Sequence, residues 1–121
     1  MAKTRIVLLD DHPAIAHATS TLLEMAGYKV ECFHSVAELE NVQYSNPDLY
    51  LLDRHLPFKG GLELCTVLKS DPLKSHIPVV IMSALRDTHI LTRKAGGDAF
   101  LAKPFTRQDL ISLVQLLTHN G

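Results

Sequence analysis

Three acidic side chains, one hydroxyl and one lysine each follow an apolar stretch of this chain, and together they could carry out phosphoryl chemistry. They are Asp10, Asp11, Asp53, Ser83 and Lys103. Carboxylates brought close together raise one another's pKa and need positive charge beside them. Lys103 supplies one charge, and Mg²⁺, which takes carboxylates, waters and phosphate oxygens as ligands, could supply the rest. A carboxylate can also attack a phosphoryl group and form an acyl phosphate.

Each of these residues taken singly has a simpler explanation. Acid pairs at turns are usually solvated caps, an aspartate after a strand often only ends it, and Lys-Pro is usually a surface dipeptide. The chemical interpretation therefore depends on whether the fold brings the five residues to one place.

The segment that contains Asp53 predicts a central strand. Residues 49–52 are apolar without a break, and the stretch is bounded by Asn46-Pro47 and Pro57. An uninterrupted apolar run is typical of a parallel strand that is covered on both faces. In an open α/β sheet, ligands bind outside the carboxyl ends of such strands, which is where Asp53 would lie.

Four further strands and five helices are predicted around this one. The other strands cover residues 5–10, 28–33, 79–82 and 99–102, with 28–33 at an edge because its charged residues alternate. Pro13 and Gly27 delimit helix 1, in which Ile15, Ala18, Leu22, Leu23 and Ala26 recur at helical spacing. Helix 2 begins at a Ser35–Glu38 capping box, and helix 3 runs from Gly60-Gly61 to Asp71-Pro72. Helix 4 spans about 87–95. Helix 5 begins near Thr106 and Asp109 and carries an apolar stripe at 110, 113, 114 and 117.

The alternation of strands and helices with short loops predicts an α/β fold, a parallel sheet with right-handed crossovers and helices on both faces. Such a sheet would bring the polar ends of four strands to one edge. Residues 1–121 are expected to form a single domain, and no internal repeat or linker interrupts them.

Composition excludes several classes of protein. With 46% hydrophobic and 21% charged residues and a net charge of -1, the 121-residue chain is typical of a globular domain without a basic nucleic-acid-binding surface. No segment is apolar enough for a leader or a bilayer span, so a cytoplasmic location is expected. Cys32 and Cys65 are predicted to be reduced core residues. The seven His residues are dispersed, which makes a histidine-based metal site improbable.

Four motifs in fixed order resemble the receiver domain of bacterial response regulators. They are Leu-Leu-Asp-Asp-His-Pro (8–13), Leu-Leu-Asp-Arg-His-Leu-Pro (51–57), Met-Ser-Ala (82–84) and Phe-Leu-Ala-Lys-Pro-Phe (100–105). The resemblance implies a doubly wound, flavodoxin-like three-layer sandwich with a five-stranded sheet of order 2-1-3-4-5 and five helices. It also implies a two-component signalling module in which Asp53 takes a phosphoryl group from a histidine kinase or phosphotransfer protein.

The resemblance assigns roles residue by residue. It implies that Mg²⁺ is bound by Asp11, Asp53 and the backbone carbonyl of His55, with Asp10 assisting through water. Lys103 would pair with the phosphoryl group, and its bond to Pro104 would be cis.

Ser83 and Phe100 match the hydroxyl and the aromatic residue of the family's switch. A phosphoryl oxygen would draw the Ser83 hydroxyl inward, and Phe100 would rotate into the vacated space, so that a surface recognised by a downstream protein or a fused output domain changes. No direct nucleic-acid contact and no membrane contact by this domain are expected.

The sequence departs from the family pattern at three places. Lys103 lies only twenty positions after Ser83, about two fewer than in most relatives, which predicts that helix 4 or its leading loop is shortened. A monomer or an atypical dimer is then expected. Gly97 stands where alanine is usual. His55, two residues beyond the acceptor, is an uncommon choice that would affect the lifetime of the acyl phosphate.

Other functions fit the same residues less well. A flavin-binding electron carrier of this topology would need a phosphate-binding loop after strand 1, where Asp10-Asp11 would repel phosphate. An aspartate-nucleophile phosphatase would normally carry a carboxylate in place of His55. A constitutive adaptor that has lost phosphorylation is disfavoured by the complete set, whereas a receiver excised from a longer DNA-binding transcriptional regulator stays open.

Overall fold

The computed structural model describes residues 3–41 and 46–118 and contains a five-stranded parallel sheet. The strands are β1 (Arg5–Leu9), β2 (Lys29–Phe33), β3 (Leu49–Asp53), β4 (Val79–Ser83) and β5 (Ala99–Ala102). The helices are α1 (Pro13–Met25), α2 (Val36–Glu40), α3 (Gly61–Ser70), α4 (Thr88–Lys94) and α5 (Arg107–Thr118). The strand order is β2-β1-β3-β4-β5 and every neighbouring pair is parallel, which confirms the predicted fold.

The register of the strands aligns the polar residues at their carboxyl ends. Leu9 pairs with Leu52, so the next residues, Asp10 and Asp53, lie side by side. Ser83 pairs with Ala102, and Lys103 follows directly. Sheet pairing alone therefore gathers residues that are far apart in the sequence.

The sheet is covered by apolar side chains on both faces, as continuous apolar strands require. On one face, Val7, Leu9, Leu52 and Ile81 pack with buried residues of α2 and α3. On the other face, Ile6, Leu8, Leu51, Met82 and Leu101 pack with buried residues of α1 and α5. Because side chains alternate along a strand, this arrangement fixes the face from which each terminal side chain projects.

The predicted helix ends are confirmed. Pro13 is the first residue of α1, and Gly27 follows that helix with φ +99°, a conformation that glycine adopts without strain. The Ser35 hydroxyl accepts a hydrogen bond from the Glu38 N–H at 3.2 Å. The Thr106 hydroxyl and the Asp109 carboxylate accept reciprocal hydrogen bonds from each other's N–H groups, at 3.0 and 3.2 Å.

The buried side of α1 differs from the predicted stripe. Ala16, Thr19 and Leu23 are buried, whereas Ile15 is 44% exposed and Ala18 is also exposed. Hydrophobicity alone therefore does not decide which face of this helix is buried, because packing against the rest of the domain also contributes.

The prediction for the two cysteines is half right. Both are free thiols, and Cys65 is buried while Cys32 is exposed. The prediction of a core position for Cys32 is wrong because β2 is an edge strand, so its apolar positions are covered on fewer sides. Burial raises the pKa of the Cys65 thiol to about 11, which keeps it protonated and unreactive.

The packing of α4 explains why position 97 holds glycine. A Cβ atom on Gly97 would lie 2.6 Å from Cγ2 of Thr92, a buried residue of α4. The methyl group of Thr92 thus occupies the space that a side chain at 97 would need. α4 has only seven residues, against thirteen in α1 and twelve in α5.

Candidate functional site

Two buried aspartates and one lysine form the centre of the site. Asp10 is fully buried and Asp53 is 4% exposed. Lys103 Nζ lies 3.3 Å from Asp10 Oδ2 and 3.3 Å from Asp53 Oδ2, and it donates a hydrogen bond to each. One ammonium group therefore bridges two carboxylates that would otherwise repel each other.

Backbone N–H groups hold the other oxygens of the two carboxylates. Asp10 Oδ1 accepts a hydrogen bond from the His12 N–H at 2.9 Å. Asp53 Oδ1 accepts one from the His55 N–H at 3.3 Å. Both donors lie two residues beyond the acid, so each strand-end turn orients its own carboxylate.

Burial raises the pKa of the Asp53 carboxyl above its usual value of 3.8. Lys103 opposes that effect, and the negative charge of Asp10 adds to it. Loss of water around the charged form thus outweighs the single ammonium group, and the site would gain from further positive charge.

Asp11 completes an acidic cluster, defined as Asp10, Asp11 and Asp53. One ligand atom from each of these residues and from His12 lies within 4.8 Å of the others. Asp11 Oδ1 is shielded from water, yet it accepts no hydrogen bond from any residue that the structure describes. A shielded oxygen that accepts no hydrogen bond, beside two further carboxylates, fits a cation, and hard oxygen donors suit Mg²⁺.

The two residues of the predicted switch lie on neighbouring strands, Ser83 at the end of β4 and Phe100 within β5. Ser83 is 1% exposed, and its hydroxyl accepts a hydrogen bond from the Leu85 N–H at 3.0 Å. Phe100 is half-buried, and its ring meets that of His89 edge-on, with centroids 6.4 Å apart. The Lys103 N–H donates to the Ser83 carbonyl at 2.9 Å, which joins the switch region to the lysine.

The structure thus brings together Asp10, Asp11, Asp53 and Lys103. The Lys103–Pro104 peptide bond is cis. The His55 side chain is exposed, and the contact of that residue with Asp53 is through its backbone N–H.

Sequence reasoning missed two residues near the site. His12 lies against the acidic cluster, and its position directly after Asp10-Asp11 was a usable signal. Arg54 donates hydrogen bonds from Nη1 to Asp87 Oδ1 at 2.8 Å and to the buried Thr88 hydroxyl at 2.7 Å. No local pattern indicates this contact, because its partners are more than thirty residues away.

Known proteins resemble this chain in sequence. The family described as the response regulator receiver domain matches residues 6–115. The phosphate regulon transcriptional regulatory protein PhoB of Pseudomonas aeruginosa is 36% identical over 121 residues, covering 93% of this chain and 50% of that protein. The chain spans about half the length of the curated relatives it matches.

Solved structures agree on the fold. The receiver domain of the Francisella response regulator 1452 is 28% identical, with a TM-score of 0.86 and coverage of 96% of this chain and 97% of that one. The receiver domain of the sensor histidine kinase PA1611 from Pseudomonas aeruginosa, with magnesium in its active-site cleft, is 23% identical, with a TM-score of 0.86 and coverage of 97% and 98%.

This chain therefore belongs to the response regulator receiver domain family. It is a CheY-like receiver domain of a two-component system, and receiver domains act as phosphoacceptors without a dedicated catalytic activity. Within the described residues, no helix has the length and apolar character of a membrane span.

Proposed function

We propose that Asp53 is the residue that accepts the phosphoryl group and that residues 1–121 act as one receiver domain. The observation that carries this assignment is the position of Asp53, a buried carboxylate at the end of the central strand that is held between Lys103 and a backbone N–H. Its raised pKa indicates an environment short of positive charge, which a bound cation would supply.

In the proposed step, an Asp53 oxygen attacks phosphorus while the bond from phosphorus to the donor imidazole of a histidine kinase or phosphotransfer protein breaks. The electron pair of that bond returns to the imidazole nitrogen, and Asp53 becomes an acyl phosphate. Lys103 already lies within hydrogen-bonding distance of the attacking carboxylate, so its ammonium group is positioned to pair with a phosphoryl oxygen. The same site would catalyse its own dephosphorylation.

The residues for the cofactor are Asp11, Asp53 and the carbonyl of His55, with Asp10 acting through water. When bound, Mg²⁺ would supply positive charge to the carboxylates and to the phosphoryl oxygens. The shielded Asp11 oxygen, which accepts no hydrogen bond from the described residues, supports this assignment.

The response to phosphorylation is proposed to run through Ser83 and Phe100. The hydroxyl proton of Ser83 can be donated to a phosphoryl oxygen, and movement of this side chain would leave room for Phe100 to turn inward from its half-buried position. Phosphorylation would then favour one of two existing arrangements. The size of the response is limited by the difference between the interaction free energies of the phosphoryl group with the two arrangements.

The recipient of the signal is proposed to be a downstream protein or a fused output domain. The curated relatives are described as transcriptional or DNA-binding regulators of about twice this length, which is compatible with a downstream protein or with a fused output domain as the recipient of the signal. A cytoplasmic location, a monomer or atypical dimer, and the absence of direct nucleic-acid contact stay predictions from the sequence.

The test is phosphorylation by a small acyl phosphate with Mg²⁺, followed by intact mass measurement, which suits a chain without tryptophan. One phosphoryl group should be added to the wild-type chain and none to Asp53→Asn. Omission of Mg²⁺ or the variant Asp11→Ala should suppress the addition. Full modification of Asp53→Asn would overturn the assignment of the acceptor.

A further inference from the structure

The imidazole of His12 lies against the acidic cluster without making the hydrogen bond that an ordinary ion pair would make. His12 Nδ1 is 3.1 Å from Asp11 Oδ1 and 3.7 Å from Asp10 Oδ1. Asp11 Oδ1 is nevertheless without a hydrogen bond from any described residue. In the tautomer that carries its proton on Nε2, the ring would place a second electron-pair donor, Nδ1, beside Asp11 Oδ1.

His12 and Asp11 belong to a group of four residues that could share one ion. The ligand atoms of Asp10, Asp11, His12 and Asp53 all lie within 4.8 Å of one another. Two ligands on opposite sides of one ion, each about 2.0–2.2 Å from it, are separated by at most about 4.4 Å, so a contraction of a few tenths of an ångström suffices. His12 is 67% exposed, and its ring is therefore free to make that adjustment.

The chemistry of the ligand atoms decides which ions would use this nitrogen. Mg²⁺ prefers oxygen ligands and keeps several waters. Borderline ions such as Co²⁺ and Zn²⁺ bind imidazole nitrogen well and have higher affinity for mixed nitrogen and oxygen sites. A site of carboxylates alone would discriminate less between these two classes than a site that adds one imidazole.

We propose that His12 is an additional ligand of the metal site and that it makes the site prefer borderline transition-metal ions to Mg²⁺. The inference rests on the proposed metal site and goes beyond it, since it adds a nitrogen ligand and a selectivity. The dispersed histidine spacing in the sequence did not indicate this site, because the other ligands come from carboxylates on two strand ends.

The experiment titrates untagged protein with Co²⁺ alone and with Mg²⁺ alone at one pH, by calorimetry and, for Co²⁺, by its visible absorption. His12→Gln removes the ring nitrogen and keeps a polar side chain. His17→Gln, at an exposed position on α1, the helix that follows His12, is the matched control for adventitious binding to surface imidazoles.

We expect His12→Gln to weaken Co²⁺ binding about tenfold or more and to change its absorption spectrum, because a nitrogen ligand is lost. Mg²⁺ binding should change less than about twofold, and His17→Gln should match the wild type for both ions. Unchanged Co²⁺ affinity in His12→Gln would overturn the inference. So would an equal loss for Co²⁺ and Mg²⁺, which would mean that His12 only orients the carboxylates.

Failure of this inference and failure of the proposed function give different results. Mg²⁺-dependent modification of Asp53 is measured in the same His12→Gln protein. If modification is retained and Co²⁺ affinity equals that of the wild type, the inference fails and the proposed function stands. If Co²⁺ binding depends on His12 but no phosphoryl group is added to the wild type, the inference stands and the proposed acceptor fails.

Discussion

The acidic cluster and the region around α4 and β5 are built on opposite principles. At the cluster, β1 and β3 are almost wholly buried and end in buried charges that share one lysine. The α4–β5 face, defined by α4 and β5, is short and largely open, and of the four residues of β5 only Leu101 is buried. In the first region stability depends on charges that are shielded from water. In the second region it depends on the steric fit between short elements.

The difference indicates where substitutions should be costly. A buried charge that loses its partner has no alternative partner in solvent. A half-exposed ring or a short helix can shift at modest cost, which suits a surface whose arrangement is meant to change. Four substitutions would test this contrast, each through the free energy of unfolding in denaturant without added metal.

The largest effect is expected for Lys103→Met. Removal of the ammonium group leaves Asp10 and Asp53 buried beside each other without a bridging cation, which should lower the free energy of unfolding by about 3 kcal/mol or more. Lys94→Met, at an exposed residue of α4, is the control and should have little effect. Equal stability of the two variants would show that the buried charges do not control stability at this edge of the sheet.

A steric effect is expected for Gly97→Ala on the α4–β5 face. The new Cβ would overlap the methyl group of Thr92, since the two carbons would be 2.6 Å apart, and overpacking of this kind costs about 1–3 kcal/mol. The double variant Gly97→Ala with Thr92→Ser removes that methyl group and should recover part of the loss. Additive losses in the double variant would contradict the proposed clash.

The link between the two regions is tested by Arg54→Met. Arg54 follows the acceptor and donates to Asp87 and Thr88 at the start of α4, and its loss leaves the fully buried Thr88 hydroxyl without this donor. We expect a loss of about 1–2 kcal/mol. Arg86→Met, at an exposed position just before α4, should be close to the wild type, and a similar loss there would remove the special role of the Arg54 contact.

The smallest change, and one of opposite sign, is expected for Asp53→Asn. Because burial raises the pKa of Asp53 in the folded state, its contribution to stability is present below the unfolded value of 3.8 and is lost as pH rises through the folded pKa. At neutral pH the metal-free wild type has therefore lost this contribution to stability. The variant has not, because its amide does not ionise. The variant should therefore be the more stable protein at neutral pH.

A pH series checks the sign of this effect. The advantage of Asp53→Asn should shrink as pH falls to 3.8 and below, because the wild-type carboxyl then becomes protonated in both the folded and the unfolded state. Added Mg²⁺ should stabilise the wild type more than the variant. A variant that is less stable than the wild type throughout would show that Lys103 outweighs the burial of Asp53.

Much of the fold and of the acidic cluster could be predicted from the sequence because the relevant signals are local. Four apolar residues followed by Asp53 predict both a buried strand and the residue at its end. The capping residues Ser35 and Thr106 each accept a hydrogen bond from the backbone N–H three residues later, so a stretch of four residues is enough to predict each helix start. In a parallel sheet the carboxyl ends of all strands meet at one edge. The polar residues at those ends, Asp10, Asp53 and Lys103, are therefore expected to lie close together.

Tertiary structure decided what depends on neighbours distant in the chain. Cys32 is apolar in pattern but exposed, because its strand is at the edge of the sheet. The requirement for glycine at 97 comes from a methyl group on α4, and the contact of Arg54 depends on where that helix begins. The placement of His12 against Asp11 is set by the turn into α1, because backbone direction, and not residue type, decides which atoms face a shared ion.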